Sequence, residues 1–124
     1  MALAPRYGKA DAAGGGNGLS WDTAWTFAEM IAQGTAGMHV YWRGDITLNG
    51  ATTLPAGTVG SPFILDGCLA VAGDGYLGRL NQGALIETNM PVLTYAGNYG
   101  LTVAAFGSIY NLKVYGAARG LGRW

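Results

Sequence analysis

Gly37-Met-His-Val-Tyr-Trp-Arg-Gly-Asp-Ile-Thr-Leu-Asn-Gly50 contains two short strands and two breaks. His39 to Trp42 is rich in β-branched and aromatic side chains and alternates in character, the pattern of a half-buried strand. Gly44 interrupts it, Asp45 to Leu48 forms the second run, and Asn49-Gly50 is a turn pair. Strands this short, separated by single breakers, do not build a long hairpin.

The same texture continues toward the C-terminus. Thr52-Thr-Leu54, Phe63-Ile-Leu-Asp66, Leu69-Ala-Val71, Ala84-Leu-Ile-Glu87, Val92-Leu-Thr-Tyr95, Leu101-Thr-Val103 and Ile109 to Tyr115 are further apolar runs between glycines, prolines and small polar residues. They fall into three columns: Val40, Phe63, Ala84 and Ser108; Ile46, Leu69, Val92 and Val114; and Thr53, Leu77 and Leu101. Recurrence at intervals of about 23 residues, three strands per interval, is the mark of stacked coils. The competing architecture is an antiparallel sandwich, for which Asn49-Gly50 is a hairpin signal. The three columns favour the coils: an all-β fold, a right-handed parallel β-helix (solenoid) with one short N-terminal capping α-helix.

Toward the N-terminus, residues 1–19 read as a loop or arm, because Ala12-Ala-Gly-Gly-Gly-Asn-Gly18 cannot hold a regular element. Residues 20–34 read as the capping helix. Ser20 or Asp22 is placed to cap it, and Trp21, Ala24, Trp25, Ala28, Ile31 and Ala32 share one face of a 3.6-residue period. Gly34 stands where a left-handed cap would end it. Trp21, Trp25 and Ile31 are the expected structural cap over the open end of the first coil. Residues 35–124 form the coils, in one domain with the cap.

Composition excludes several classes. Half of the 124 residues are hydrophobic and 11% are charged, so the chain is not disordered. Seven Lys and Arg residues balance seven Asp and Glu residues without a basic run, which argues against nucleic acid as a partner. A surface with so little charge favours association, and a homo-oligomer, with a trimer as one form, is the expectation. No apolar run is long enough to span a membrane. Cys68, the single cysteine, can form neither an internal disulfide nor a cysteine-based metal site. The opening Met1 to Tyr7 lacks a basic segment followed by an apolar one, which predicts a product made in the cytoplasm without a secretory address.

Gly16-Asn-Gly-Leu-Ser-Trp-Asp-Thr-Ala-Trp25 resembles the N-terminal signature of pectate-lyase-like right-handed β-helix proteins. Gly37 to Gly44 resembles the first strand of that family, Gly57 to Gly67 its next-coil entry, and Ile109 to Gly116 a later rung with Asn111 ahead of its apolar pair. The resemblance covers most of residues 16–116. It implies the fold and leaves function open among polysaccharide lyases and hydrolases, phage tail spikes and structural virion proteins. Sites in such proteins are expected on middle coils.

Chemistry is sparse. The best carboxylate candidates are Asp66 and Glu87, which the coil alignment sets in one outward column with Arg43 and Tyr110. Two carboxyl groups at a fixed separation are what glycoside hydrolysis needs, while a solvated charge ladder needs only their exposure. No acidic cluster suits calcium, and nothing marks Lys113 or Arg119 as the base of a lyase. His39, the only histidine, cannot by itself make a metal site or a catalytic triad. The loop Gly14 to Gly18 lacks the Lys-Ser/Thr ending of a phosphate loop. No cofactor and no metal are expected. Trp124, Tyr110 and Tyr115 are candidate interface residues, since aromatic side chains dominate interface hot spots.

Three functions follow, in order: a non-enzymatic structural module of a bacteriophage virion, as a capsid-decorating protein or the anchoring part of a tail spike or fibre; the N-terminal part of a polysaccharide lyase or glycoside hydrolase; and a surface adhesin. The first implies a virion or extracellular location and other virion proteins as partners. The others imply surface polysaccharide or a cell-surface partner.

Overall fold

The computed structural model describes residues 4–48, 50, 52–69, 91–95, 101–116 and 120–123. These residues are rich in strands, with one short helix among them, α1 (Phe27–Gln33). The strands are β1 (Arg6–Lys9), β2 (His39–Arg43), β3 (Ile46–Leu48), β4 (Thr52–Thr53), β5 (Phe63–Cys68), β6 (Val92–Tyr95), β7 (Leu101–Thr102), β8 (Gly107–Tyr110), β9 (Lys113–Gly116) and β10 (Gly120–Arg123). They make three sheets, ordered β1-β2-β5-β8, β10-β9-β6-β3 and β4-β7. Every described strand pair is parallel except β9 with β10. Apart from β9 with β10, no two consecutive strands pair as a hairpin among the described residues, and β3 and β4 lie in different sheets.

The core follows from alternation. In β2 the side chains of Val40 and Trp42 are buried while His39, Tyr41 and Arg43 are partly exposed. Val40 stands opposite Leu65, and Leu65 opposite Ile109. Three buried aliphatic side chains therefore stack across neighbouring strands at the ~4.8 Å strand spacing. Ile46, Leu48, Leu54, Phe63, Leu93, Leu112 and Met38 complete the interior with Trp25 and Met30. Each such side chain contributes about 1.5–3 kcal/mol by leaving water. Trp42 fits because its neighbour on β1 is Gly8, where a Cβ would lie 2.6 Å from the indole.

The spacing of the pairing differs from the even columns expected. Ile64 faces His39, but Ser108 faces Ile64, so the second step along the chain is nearly twice the first. Ile46 pairs directly with Leu93, and Thr53 with Thr102. Leu69 is an exposed bend residue and joins no strand. Ala84, Leu77 and Glu87, which the columns include, lie outside the described residues; β5 pairs directly with β8.

The N-terminal third also differs. Arg6–Lys9, expected within a loop, is a strand parallel to β2. Four residues interrupted by Gly8 carry too little periodicity to announce a strand; its hydrogen bonds come from tertiary partners on both sides. Tyr7 donates to Gly18 O at 2.7 Å, Trp25 donates to Tyr7 O at 2.9 Å and Lys9 donates to Trp25 O at 3.0 Å. Those bonds hold Trp25 in extended backbone, so the helix starts after it, at Phe27, and not near residue 20. Thr26 is its N-cap, in a capping box with Glu29. Ser20 closes a turn instead, its Oγ accepting from Thr23 N–H at 3.2 Å. Gly34 follows the helix in extended conformation, φ −65°, not in the left-handed one. It is glycine because a Cβ there would lie 2.5 Å from Pro55 and 2.9 Å from the Phe63 ring.

Candidate functional site: the outer face of the four-stranded sheet

The side chains that alternation turns away from the core converge on the outer face of β1-β2-β5-β8. Register sets Tyr7 beside Tyr41, Tyr41 beside Asp66 and Asp66 beside Tyr110. Asp66 is nevertheless buried, because side chains from two other segments close over it. His39 Nε2 lies 2.8 Å from its Oδ2, and Asn111 Nδ2 donates to its Oδ1 at 2.7 Å. An ionised carboxylate only accepts, so the Nε2 of His39 carries the proton in this contact. Asn111 occupies the left-handed region, φ 58°, which asparagine tolerates better than most residues. That conformation makes the corner between β8 and β9 and brings its amide to Asp66. Gly67 next door has no room for a side chain: a Cβ would lie 2.2 Å from Asn111 O.

The rings on this face stack on one another. His39 lies on Tyr41 with centroids 4.4 Å apart and planes 24° apart. Tyr41 lies on Tyr7 at 6.0 Å and 28°. Tyr7 meets Trp21 at 4.8 Å, and the Arg43 guanidinium covers the Trp21 ring at 4.1 Å. The result is a continuous ladder from His39 to Arg43. Burial, and after it the charge of Asp66, pushes the Tyr41 hydroxyl above its usual range.

The residues singled out from sequence take different places. Asp66 belongs to this face; Glu87 and Trp124 lie outside the described residues. Arg43 is opposite Cys68 and stacks on Trp21. Tyr110 neighbours Asp66 and is 47% exposed. Tyr115 stands on β9 opposite Thr94. Of the expected cap, Trp25 is buried in the core at 2% exposure and Ile31 packs against that core, but Trp21 stands outside in the ring ladder. Trp25 precedes the helix and acts through its backbone as well as its ring, bridging to Gly8 at the edge of β1. Cys68 is buried.

On this face the structure joins one carboxylate to one imidazole, and both oxygens of the carboxylate are engaged. Asp45, between β2 and β3, accepts from Val92 N–H at 2.9 Å and ties that turn to β6. No group of three or more metal-ligating side chains occurs among the described residues. Among the described residues no helix is long and apolar enough to cross a membrane. Sequence reasoning missed Asn111 as the partner of Asp66 and Tyr7 as the partner of Tyr41. It also missed the capping box, although Thr26-Phe-Ala-Glu29 was legible as one. No protein-family model matches this chain, and neither a curated protein nor a solved structure matches it.

Proposed function

We propose that this chain winds as a right-handed parallel β-helix of the pectate-lyase-like kind and serves as a non-enzymatic structural module of a bacteriophage virion, decorating a capsid or anchoring a tail spike or fibre. The winding is supported by the order in which the chain visits its sheets. β2, β3 and β4 lie in three different sheets, and β5, β6 and β7 return to the same three in the same order. Crossover connections between parallel strands are right-handed in about 98% of cases. The non-enzymatic reading is carried by Asp66, whose two carboxylate oxygens tie β5 to β2 and to the β8–β9 corner and so do not face a substrate. Its virion setting is supported by the sequence resemblance and the low charge.

Two measurements test this reading. The full chain, incubated with bacterial polysaccharides, is expected to release neither new reducing ends nor unsaturated products. An antibody against the chain is expected to label purified phage particles. Cleavage by the wild type that is lost in Asp66→Asn would overturn the structural reading. It would establish the second one, a polysaccharide-acting enzyme. The observation favouring that alternative is the His39–Asp66 contact itself, an imidazole and a carboxylate 2.8 Å apart beside tyrosines.

A further inference from the structure

Two loops run side by side at the corner between β4-β7 and the four-stranded sheet. Leu54 N–H donates to Thr102 O at 2.9 Å, Gly57 N–H to Ala105 O at 2.9 Å and Phe63 N–H to Phe106 O at 3.1 Å. The approach is close enough that a Cβ on Gly57 would lie 2.5 Å from Phe106 O. These loops hold three apolar side chains in solvent: Val59 at 82% exposure, Phe106 at 55% and Val103 at 38%.

Phe106 is unusual in a second way. Its φ is 55°, and the other non-glycine residue in the left-handed region among those described is Asn111. The turn requires that conformation, since Gly107 N–H donates back to Ala104 O while Phe106 O accepts from Phe63. On backbone grounds glycine or asparagine belongs at such a position. A phenyl ring there is strained and gains little burial within its own chain. Strain of this kind marks positions whose side chain is used for something else.

Charge selects the occupant. The stretches 46–65 and 92–112, which supply both loops, contain no Lys, Arg, Asp, Glu or His. A charged partner would lose hydration against this corner with nothing to offset the loss. A second copy brings the same uncharged corner, and a formal net charge of zero leaves no long-range repulsion between copies. We propose that the corner carrying Val59, Val103 and Phe106 is a self-association surface that takes a second copy of this chain, in an isologous contact. This inference concerns association alone and stands whether or not the chain belongs to a virion.

Sedimentation velocity of the full chain over a wide concentration range tests it. The wild type is expected to associate reversibly. Val59→Asp and Phe106→Gly are each expected to raise the dissociation constant by about tenfold or more. Val59 is so exposed that its substitution leaves folding intact, and circular dichroism verifies this for both variants. A wild type that stays monomeric throughout would overturn the proposal, as would association that survives Val59→Asp. A different protein captured on this corner while the chain itself remains monomeric would also overturn it.

Discussion

Asn111 donates its side-chain amide to Asp66 at 2.7 Å from a corner 45 residues further along the chain. Both residues are buried, Asp66 at 7% exposure and Asn111 at 6%. A carboxylate in that position needs partners for both oxygens, and it draws them from segments that precede and follow its own strand. The contact therefore measures how β2, β5 and the β8–β9 corner are assembled, and not how one strand is ordered.

Asn111 serves twice, through its left-handed backbone and through its amide, and substitutions separate the two roles. Asn111→Gly keeps the conformation and removes the donor, leaving one buried carboxylate oxygen without this partner. It is expected to destabilise the chain by about 1–3 kcal/mol. Asn111→Ala removes the donor and also disfavours the conformation, adding about 1 kcal/mol. Urea denaturation of both variants checks the order. Equal midpoints for Asn111→Gly and wild type would show that the hydrogen bond contributes nothing.

Trp25 and Trp21 lie four residues apart but in different environments, and their alanine variants are expected to behave differently. Trp25→Ala empties a core position whose ring packs against Gly18, at about 3–5 kcal/mol. That is a large share of the 5–15 kcal/mol that stabilises an ordinary domain. Trp25→Phe is expected to be much milder, because Trp25 Nε1 is buried without a hydrogen-bond partner and phenylalanine removes that group along with part of the ring. Trp21→Ala loses stacking on Tyr7 and Arg43 at a partly exposed site, about 0.5–1.5 kcal/mol. Thermal unfolding of the three variants checks the ranking. Similar melting temperatures for Trp21→Ala and Trp25→Ala would mean that both rings serve one cap.

The contrast between those tryptophans shows what was legible in the sequence. The alternation of His39 to Arg43 revealed which side chains point inward, because a strand has one period and one buried face. Strand-rich architecture was readable for the same reason. The helical face drawn through Trp21, Trp25 and Ile31 was not a face at all. A spacing of four residues fits a helix, but the hydrogen bonds between Trp25 and β1 come from residues that the local window does not contain. Long-range register was hidden likewise: the step from Ile64 to Ser108 is set by which backbones meet, and spacing counted along the sequence does not record that. Asp66 stood out as a carboxylate, while its partners His39 and Asn111 lie in other strands and corners and become visible only once the sheets are aligned.

Gly67 offers a test of that alignment. A Cβ at this position would meet the Asn111 carbonyl and the Pro91 ring, the former at 2.2 Å. Backbone cannot yield as a flexible side chain can, so Gly67→Ala is expected to separate β5 from the β8–β9 corner. The cost should reach about 3 kcal/mol or more, beyond that of Asn111→Gly. Gly50→Ala is the control, since nothing lies within 4 Å of a Cβ there. Comparable melting temperatures for the two variants would contradict the packing of β5 against that corner.

Glu29 links the helix to the glycine-rich loop and makes that link sensitive to acid. Its Oε1 accepts from Thr26 N–H at 2.8 Å and its Oε2 from Gly15 N–H at 2.6 Å. The Thr26 backbone bond first, and then the Gly15 one, holds the carboxyl below its ordinary value of 4.5. A carboxyl whose pKa is lower in the folded state stabilises that state above the unfolded value, and the contribution disappears as pH falls through the folded value. The link should thus be complete at neutral pH and fade only in acid, below the range where an ordinary glutamate titrates. Glu29→Gln keeps the size and can still accept one bond, but it has no charge to lose. Amide exchange at Gly15 is expected to be slow in the wild type at neutral pH, once corrected for intrinsic rates. Protection should fall as the solution is acidified past the ordinary carboxylate range. In Glu29→Gln it should be weaker and show no such step. A wild-type profile without the step would mean that Gly15 is held by the chain's own packing and not by Glu29.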